Sequence, residues 1–177
     1  MNIENFSFKL QQSWDELLPV LKKDSLKHFK KNTFKLEDSN FQNIPKKAGV
    51  YLFSIKPKNN FDLNFFKKQW IEDKTVNFPS IRKNISDYFI KDNWNVFYIG
   101  KSEKLQERIL KHYNDSYKSS TYGLKLLERK WLVKIAEIRV SFYELSHNNS
   151  SKEVIQFIIT NLEKELRKDL KPWVGKQ

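Results

Sequence analysis

Gly49-Val50-Tyr51-Leu52-Phe53-Ser54-Ile55 and the run from Asn93 to Gly100, through Val96-Phe97-Tyr98-Ile99, decide the reading of this chain. Both are rich in β-branched and aromatic residues and bounded by turn formers, Pro57 closing the first, so both read as strands. Residues 58–92 separate them, far more than a hairpin needs. Phe65, Phe66, Trp70 and Ile71 have helical spacing, as do Ile81, Ile85, Tyr88 and Phe89, which predicts a two-helix insertion; a loop packed on the core would carry the same aromatics.

Downstream, Ser102 can cap a helix reaching Tyr117 with Leu105 and Ile109 turned inward, and a second helix is expected over 122–131. Ala136, Ile138, Val140 and Phe142 alternate with Glu137, Arg139, Ser141 and Tyr143, the period of a half-buried strand. Ser150 and Glu153 resemble a capping box opening a helix to Leu170, which Pro172 ends. Upstream, Ser13 to Glu16 resembles another box, and Leu17, Leu18 and Leu21 suggest a short helix interrupted or restarted at Pro19. Irregular chain is expected from there to about residue 45, with a strand near Phe34 to Leu36. The expected class is α+β, a small mixed three-stranded sheet flanked by helices. One domain would span 1–177, with an amino-terminal extension over 1–43 and the helical insertion over 58–92.

Aromatic content of 15% and hydrophobic content of 39% mark a folded chain. Zero cysteines exclude disulfides and thiolate chemistry and fit a reducing compartment. With no apolar run of membrane-spanning length and no leader-like amino terminus, a cytoplasmic protein without a membrane partner is expected. The net charge of +12 is spread over basic pairs set among aromatics, including Lys67-Lys68 and Arg82-Lys83. That distribution suits a polyanion, since neutralised phosphates release counterions, and it equally suits a lysine-rich surface. Lys67, Lys68, Arg82 and Lys83 are the candidate DNA-gripping residues of the insertion.

Cleaving a phosphodiester needs a positioned water, a base, and positive charge where negative charge develops. Tyr51 and Tyr98 would project from neighbouring strands. Arg108 and His112, four apart, share one helix face. Lys101 lies at a strand-to-helix junction, where a helix amino terminus also favours phosphate. Glu163 is a hard carboxylate that could hold Mg²⁺ or Mn²⁺ with water and phosphate completing the shell. Taken singly, each has an ordinary reading: tyrosines half-buried in a sheet, a solvated arginine, a packed histidine, a glutamate in a salt bridge. Helical periodicity does not choose between Glu163 and Glu165.

Gly49-Val50-Tyr51 and Tyr98-Ile99-Gly100 resemble the signature pair of the GIY-YIG nucleases. In that family a lysine stands three positions after the second tyrosine, an arginine ten after, and a histidine or tyrosine fourteen after; Lys101, Arg108 and His112 fall there. Glu163, Leu166 and Pro172 match its metal-binding glutamate with the leucine and proline that follow. The resemblance implies a divalent-metal-dependent endonuclease acting on DNA in restriction or phage defence. Tyr51 would be the base or would orient the water, His112 would assist, and Lys101 and Arg108 would bind the scissile phosphate. Two departures stand out: the family spaces its tyrosines closely, and its asparagine twelve after the glutamate falls on Gly175. The alternatives are a catalytically weakened nucleic-acid-binding protein of the same fold, or an RNase, because nothing here reads a 2′-hydroxyl. A homodimer is an open option.

Overall fold

The computed structural model describes residues 3–36, 41–73, 76–146 and 150–175. In chain order these form α1 (Ile3–Lys31), β1 (Thr33–Lys35), β2 (Gly49–Pro57), α2 (Leu63–Glu72), β3 (Ser80–Ile81), β4 (Asn95–Ser102), α3 (Leu105–Asn114), α4 (Lys130–Ile135), β5 (Ala136–Glu144), α5 (Lys152–Leu170) and β6 (Val174–Gly175). The class is α+β. No helix among the described residues is long and apolar enough to cross a membrane.

The main sheet has four strands in the order β1-β5-β2-β4, and every neighbouring pair is antiparallel. This corrects the expectation of three mixed strands. β4 and β5, joined through helices, flank β2 on opposite sides. They run in the same direction without touching. The strand expected near Phe34 is β1, which pairs with β5 at Phe34↔Val140, so part of the supposed amino-terminal extension belongs to the sheet.

Alternation along the central strand splits the core in two. Tyr51, Phe53 and Ile55 face one side, beside Tyr98, Val140 and Phe142, and pack under α2, α3 and α4. Val50 and Leu52 face the other with Ile99, beneath Leu21 and Phe29 of α1 and Ile159, Leu162 and Leu166 of α5. The register slips between Phe53 and Ser54, because Phe53 pairs with Tyr98 and Ser54 with Val96. Phe97 is the extra residue of this bulge. It joins Tyr98 in the first core and packs on Phe66, Trp70 and Trp173.

Four helix expectations change. α1 runs unbroken for 29 residues through Pro19. Proline removes one bond, to the carbonyl of Asp15, and both residues lie on the exposed face, where water can take that acceptor. Its last turns were hidden in the sequence because the buried positions are Leu21, Ser25 and Phe29, with a serine in the middle. In the insertion, α2 forms as expected, and Asp62 caps it by accepting from the backbone N–H groups of Asn64 and Phe65. The second helix does not form. Ser80 and Ile81 pair instead with Gly175 and Val174, and only a 3-10 turn follows over Ile85–Tyr88. The helix expected over 122–131 starts at Lys130, because Leu126 and Leu127 N–H donate to the His112 and Tyr113 carbonyls of α3, and only a turn bond from Arg129 N–H to the Leu126 carbonyl precedes it. Ser151, one residue later than expected, caps α5, which ends at Leu170 with Lys171 in the left-handed region at φ 47°.

Candidate active site

Tyr51 pairs directly with Gly100, and its ring lies across that glycine. A Cβ at position 100 would fall 2.3 Å from the Tyr51 hydroxyl oxygen and 2.4 Å from Cζ, so no side chain fits there without moving the ring. A Cβ at Gly49 would sit 2.1 Å from the Tyr143 carbonyl oxygen. The two glycines of the paired motifs thus have steric reasons of their own.

The Tyr51 hydroxyl meets His112 Nε2 at 2.7 Å, with both residues buried. The other ring nitrogen, Nδ1, accepts from the backbone N–H of Leu124 at 3.1 Å. A nitrogen that accepts carries no proton, so the neutral imidazole holds its proton on Nε2 and donates it to Tyr51. Burial and the nearby Arg108 charge hold His112 well below the usual histidine range, which keeps the ring neutral.

Arg108, one turn earlier on α3, is half-buried and donates through Nη2 to the Tyr122 carbonyl at 2.7 Å. Its charge and hydrogen bonding also favour the ionised forms of Tyr51 and Tyr98. Burial outweighs this: it pushes the Tyr51 phenol well above 10, with Tyr98 adding to the rise, and it pushes Tyr98 up to about 12. Both are un-ionised at neutral pH.

Glu163 lies on α5, which packs along the outer strand β4. Its charge raises the phenols of Tyr51, Tyr98 and Tyr122, whereas Glu165 acts on none of them. Arg167, one turn on, pairs with it at 3.9 Å. Of the two carboxylates that helical spacing left open, Glu163 is the one whose charge reaches the tyrosines. A single half-buried carboxylate, here shared with Arg167, suits an ion that keeps most of its ligands as water or phosphate oxygen. Among the described residues no group of three or more His, Cys, Asp or Glu side chains forms a metal cage.

Lys101 is set apart. It pairs with Val50 and so faces the α5 side of the sheet, away from Tyr51. Its ammonium donates to Gln156 Oε1 at 3.2 Å, and Gln156 also bonds Glu103. Gln156 and Arg108 line one cleft with Ser102, Lys104 and Lys111, and Lys101 is tied to it only through its bond to Gln156. The expected phosphate seat at the α3 amino terminus is already used: Leu105 N–H donates to the Lys47 carbonyl at 2.9 Å and Gln106 N–H to that of Pro45 at 3.2 Å. The chain segment entering β2 occupies those donors.

The insertion cations diverge. Arg82 reaches α5, where Nη1 approaches the Arg167 carbonyl at 3.4 Å, and Arg82 and Lys83 line a shallow depression with Tyr88. Lys68 pairs at 3.9 Å with Glu72 of its own helix, and Lys67 is half-buried. Of the two remaining histidines, His28 is half-buried with Nδ1 at 2.8 Å from the Asp24 carbonyl, and His147 lies outside the described residues.

Sequence reasoning missed Tyr122, Arg167 and the Leu124 N–H. Arg167 was findable as the i+4 partner of Glu163. Tyr122 and Leu124 sit in irregular chain that the sequence had assigned to a helix, so their backbone groups were not sought as partners of the site. Compared with protein-family models, with characterised proteins and with solved structures, the chain matches none.

Proposed function

We propose that this protein is a GIY-YIG-like endonuclease that hydrolyses DNA phosphodiester bonds with a divalent metal ion, in restriction or phage defence. One observation carries the reading: Tyr51, Tyr98, Arg108, His112 and Glu163, drawn from three separate stretches of the chain, act electrostatically on one another around a buried phenol bonded to His112. Mg²⁺ or Mn²⁺ on Glu163 would supply Lewis-acid charge to the scissile phosphate. The chain itself does the orienting. His112 Nε2–H holds the Tyr51 oxygen, and the guanidinium beside it stabilises negative charge there or on a bound phosphate. Arg108 is fixed by the Tyr122 carbonyl, so little reorganisation is needed when charge develops. Tyr51 acts as base only once positive charge offsets its burial, and otherwise orients the water.

The family's asparagine position holds Gly175. A Cβ there would have Arg167 Nη2 as its near neighbour at 3.9 Å, so the arginine that pairs with Glu163 stands beside the space an asparagine would fill. A binding-only reading is favoured by one fact: Tyr51 is 1% exposed and un-ionised, as a core residue would be. Plasmid nicking with Mg²⁺ separates the two. The wild type should nick DNA, Glu163→Ala and Tyr51→Phe should not, and Glu165→Ala should. A wild type that shifts DNA on a gel without cutting DNA or RNA would be the binding protein instead.

A further inference from the structure

The amino-terminal half of α1 is largely exposed. From Ile3 to Val20 every residue is exposed except the half-buried Trp14 and Leu18. Yet this stretch carries an apolar stripe at alternating three- and four-residue steps: Ile3, Phe6, Leu10, Ser13, Leu17 and Val20. Ile3 is 79% exposed, and Phe6 and Leu10 are each 52% exposed. The side of α1 that packs inward is a different one, running through Trp14, Leu18, Leu21, Ser25 and Phe29. A heptad stripe on the solvent side of a helix is the pattern of a helix–helix seam that lacks its partner.

Beside the stripe lies the start of α5, whose Val154 and Phe157 are 48% and 47% exposed. Trp14 holds the two helices together, its ring 5.1 Å from that of Phe157. Between them runs an open apolar groove floored by Leu10, Trp14, Leu17, Val154, Phe157 and Ile158.

We propose that this groove is a homodimer interface, filled by α1 of a second copy laid antiparallel across it. Three observations choose that occupant. The stripe is self-complementary when reversed: Ile3 meets Val20, Phe6 meets Leu17 and Leu10 meets Ser13, so one two-fold axis satisfies all six positions. The charge also fits. In a chain of net charge +12, residues 3–20 hold Glu4, Asp15 and Glu16 against the single cation Lys9, so two copies meet here with less repulsion than across the strongly basic surface elsewhere. The same acidity makes this face unsuited to a polyanion. The size is adequate as well. Those residues rise ~27 Å, and with a helix width of ~10 Å the stripe and its α5 flank offer on the order of 500 Å² in plane. The corresponding accessible surface approaches the ~800 Å² per partner of a stable interface. Nothing in this interface depends on what the tyrosine site does.

Sedimentation of the full chain, up to about 100 µM, should give a dimer that dissociates on dilution. Phe6→Ser/Leu17→Ser should sediment as a monomer with unchanged circular dichroism, since both side chains are exposed. A monomeric wild type, or a dimer that survives this variant, overturns the proposal. The chain has no cysteine, so Phe6→Cys/Leu17→Cys gives a clean second readout. Positions 6 and 17 are ~16 Å apart along one helix, beyond the ~7 Å reach of a disulfide. A bridge between them must therefore join two copies. Oxidation should yield a covalent dimer whose peptide map links position 6 to position 17; bridges only between like positions would mean a parallel seat and refute this one.

Discussion

Gly100→Ala should injure stability and site together. The added Cβ would meet the Tyr51 hydroxyl oxygen at 2.3 Å and Cζ at 2.4 Å. The ring must retreat by ~1 Å to regain ordinary contact, in a core already at native density. It cannot swing outward, because Tyr51 is 1% exposed and Phe53, Tyr98 and His112 surround it. A retreat of that size stretches the 2.7 Å bond to His112 beyond hydrogen-bonding range. Overpacking of this kind costs about 1–3 kcal/mol, and at ~2–4 °C per kcal/mol the melting temperature should drop by roughly 2–12 °C. If Tyr51 acts in cleavage, a 1 Å displacement should also lower the nicking rate by about 10²-fold. Gly123→Ala is the control, because its Cβ would have no neighbour nearer than 3.7 Å. Scanning calorimetry and a nicking time course on both variants test this. A Gly100→Ala protein that melts within a degree of wild type would refute the packing argument, whatever its activity.

Other variants probe separate parts of the site. Stability should fall as pH drops below about 6.5, by up to ~1.4 kcal/mol per pH unit, because the unfolded chain takes a proton that buried His112 refuses; denaturant melts of His112→Gln should lose that slope. Above pH 10 stability should fall again, as unfolded tyrosines release protons that Tyr51 and Tyr98 retain; Tyr98→Phe should soften this alkaline limb. Arg108→Ala should lose about two to three decades in cleavage rate with DNA affinity largely kept, and an equal loss of both would make it a ground-state clamp. Arg82→Ala/Lys83→Ala should flatten the salt dependence of DNA binding by roughly one unit per lost phosphate contact, whereas Lys67→Ala/Lys68→Ala should change it less, given the pairing of Lys68 with Glu72.

What was legible in the sequence was whatever obeys a short period. The strands around Tyr51 and Tyr98, the alternation of Ala136 to Phe142 and the helix ending before Pro172 all carry their own pattern. Strand order does not: that β5 pairs with β2 follows from contacts far apart along the chain. The second insertion helix was misread because Ile81 and Ile85 are apolar at helical spacing for another reason. Ile81 lies in a strand paired with Val174, and Ile85 is buried at the start of a 3-10 turn. The same limit applies to the site. Spacing brought Arg108 and His112 onto one helix face, but it could not tell that Lys101 looks to the other side of the sheet.

The insertion does more than add charge beside the sheet. It braces the irregular segment over residues 122–129, which supplies the Tyr122 carbonyl to Arg108 and the Leu124 N–H to His112. Asn77 accepts from Gly123 N–H at 3.0 Å, and the buried Lys125 ammonium donates to the carbonyls of Val76 and Ser119. Arg129 is wholly buried, pairs with Asp73 at the end of α2 and stacks 3.7 Å from the Trp70 ring. Asp73 is thereby linked to His112 without touching it, through Arg129, whose Nε donates to the Leu124 carbonyl, and through the Leu124 N–H. Asp73→Ala strands a buried guanidinium, which typically costs about 3–5 kcal/mol. Beyond that general loss, the Leu124 amide should lose hydrogen-exchange protection more than amides in β2 do, because its donor bond depends on the braced segment. Arg129→Met in the same background removes the stranded charge and should recover much of the stability. If protection at Leu124 fell only in step with β2, the insertion would support the fold as a whole and not this contact.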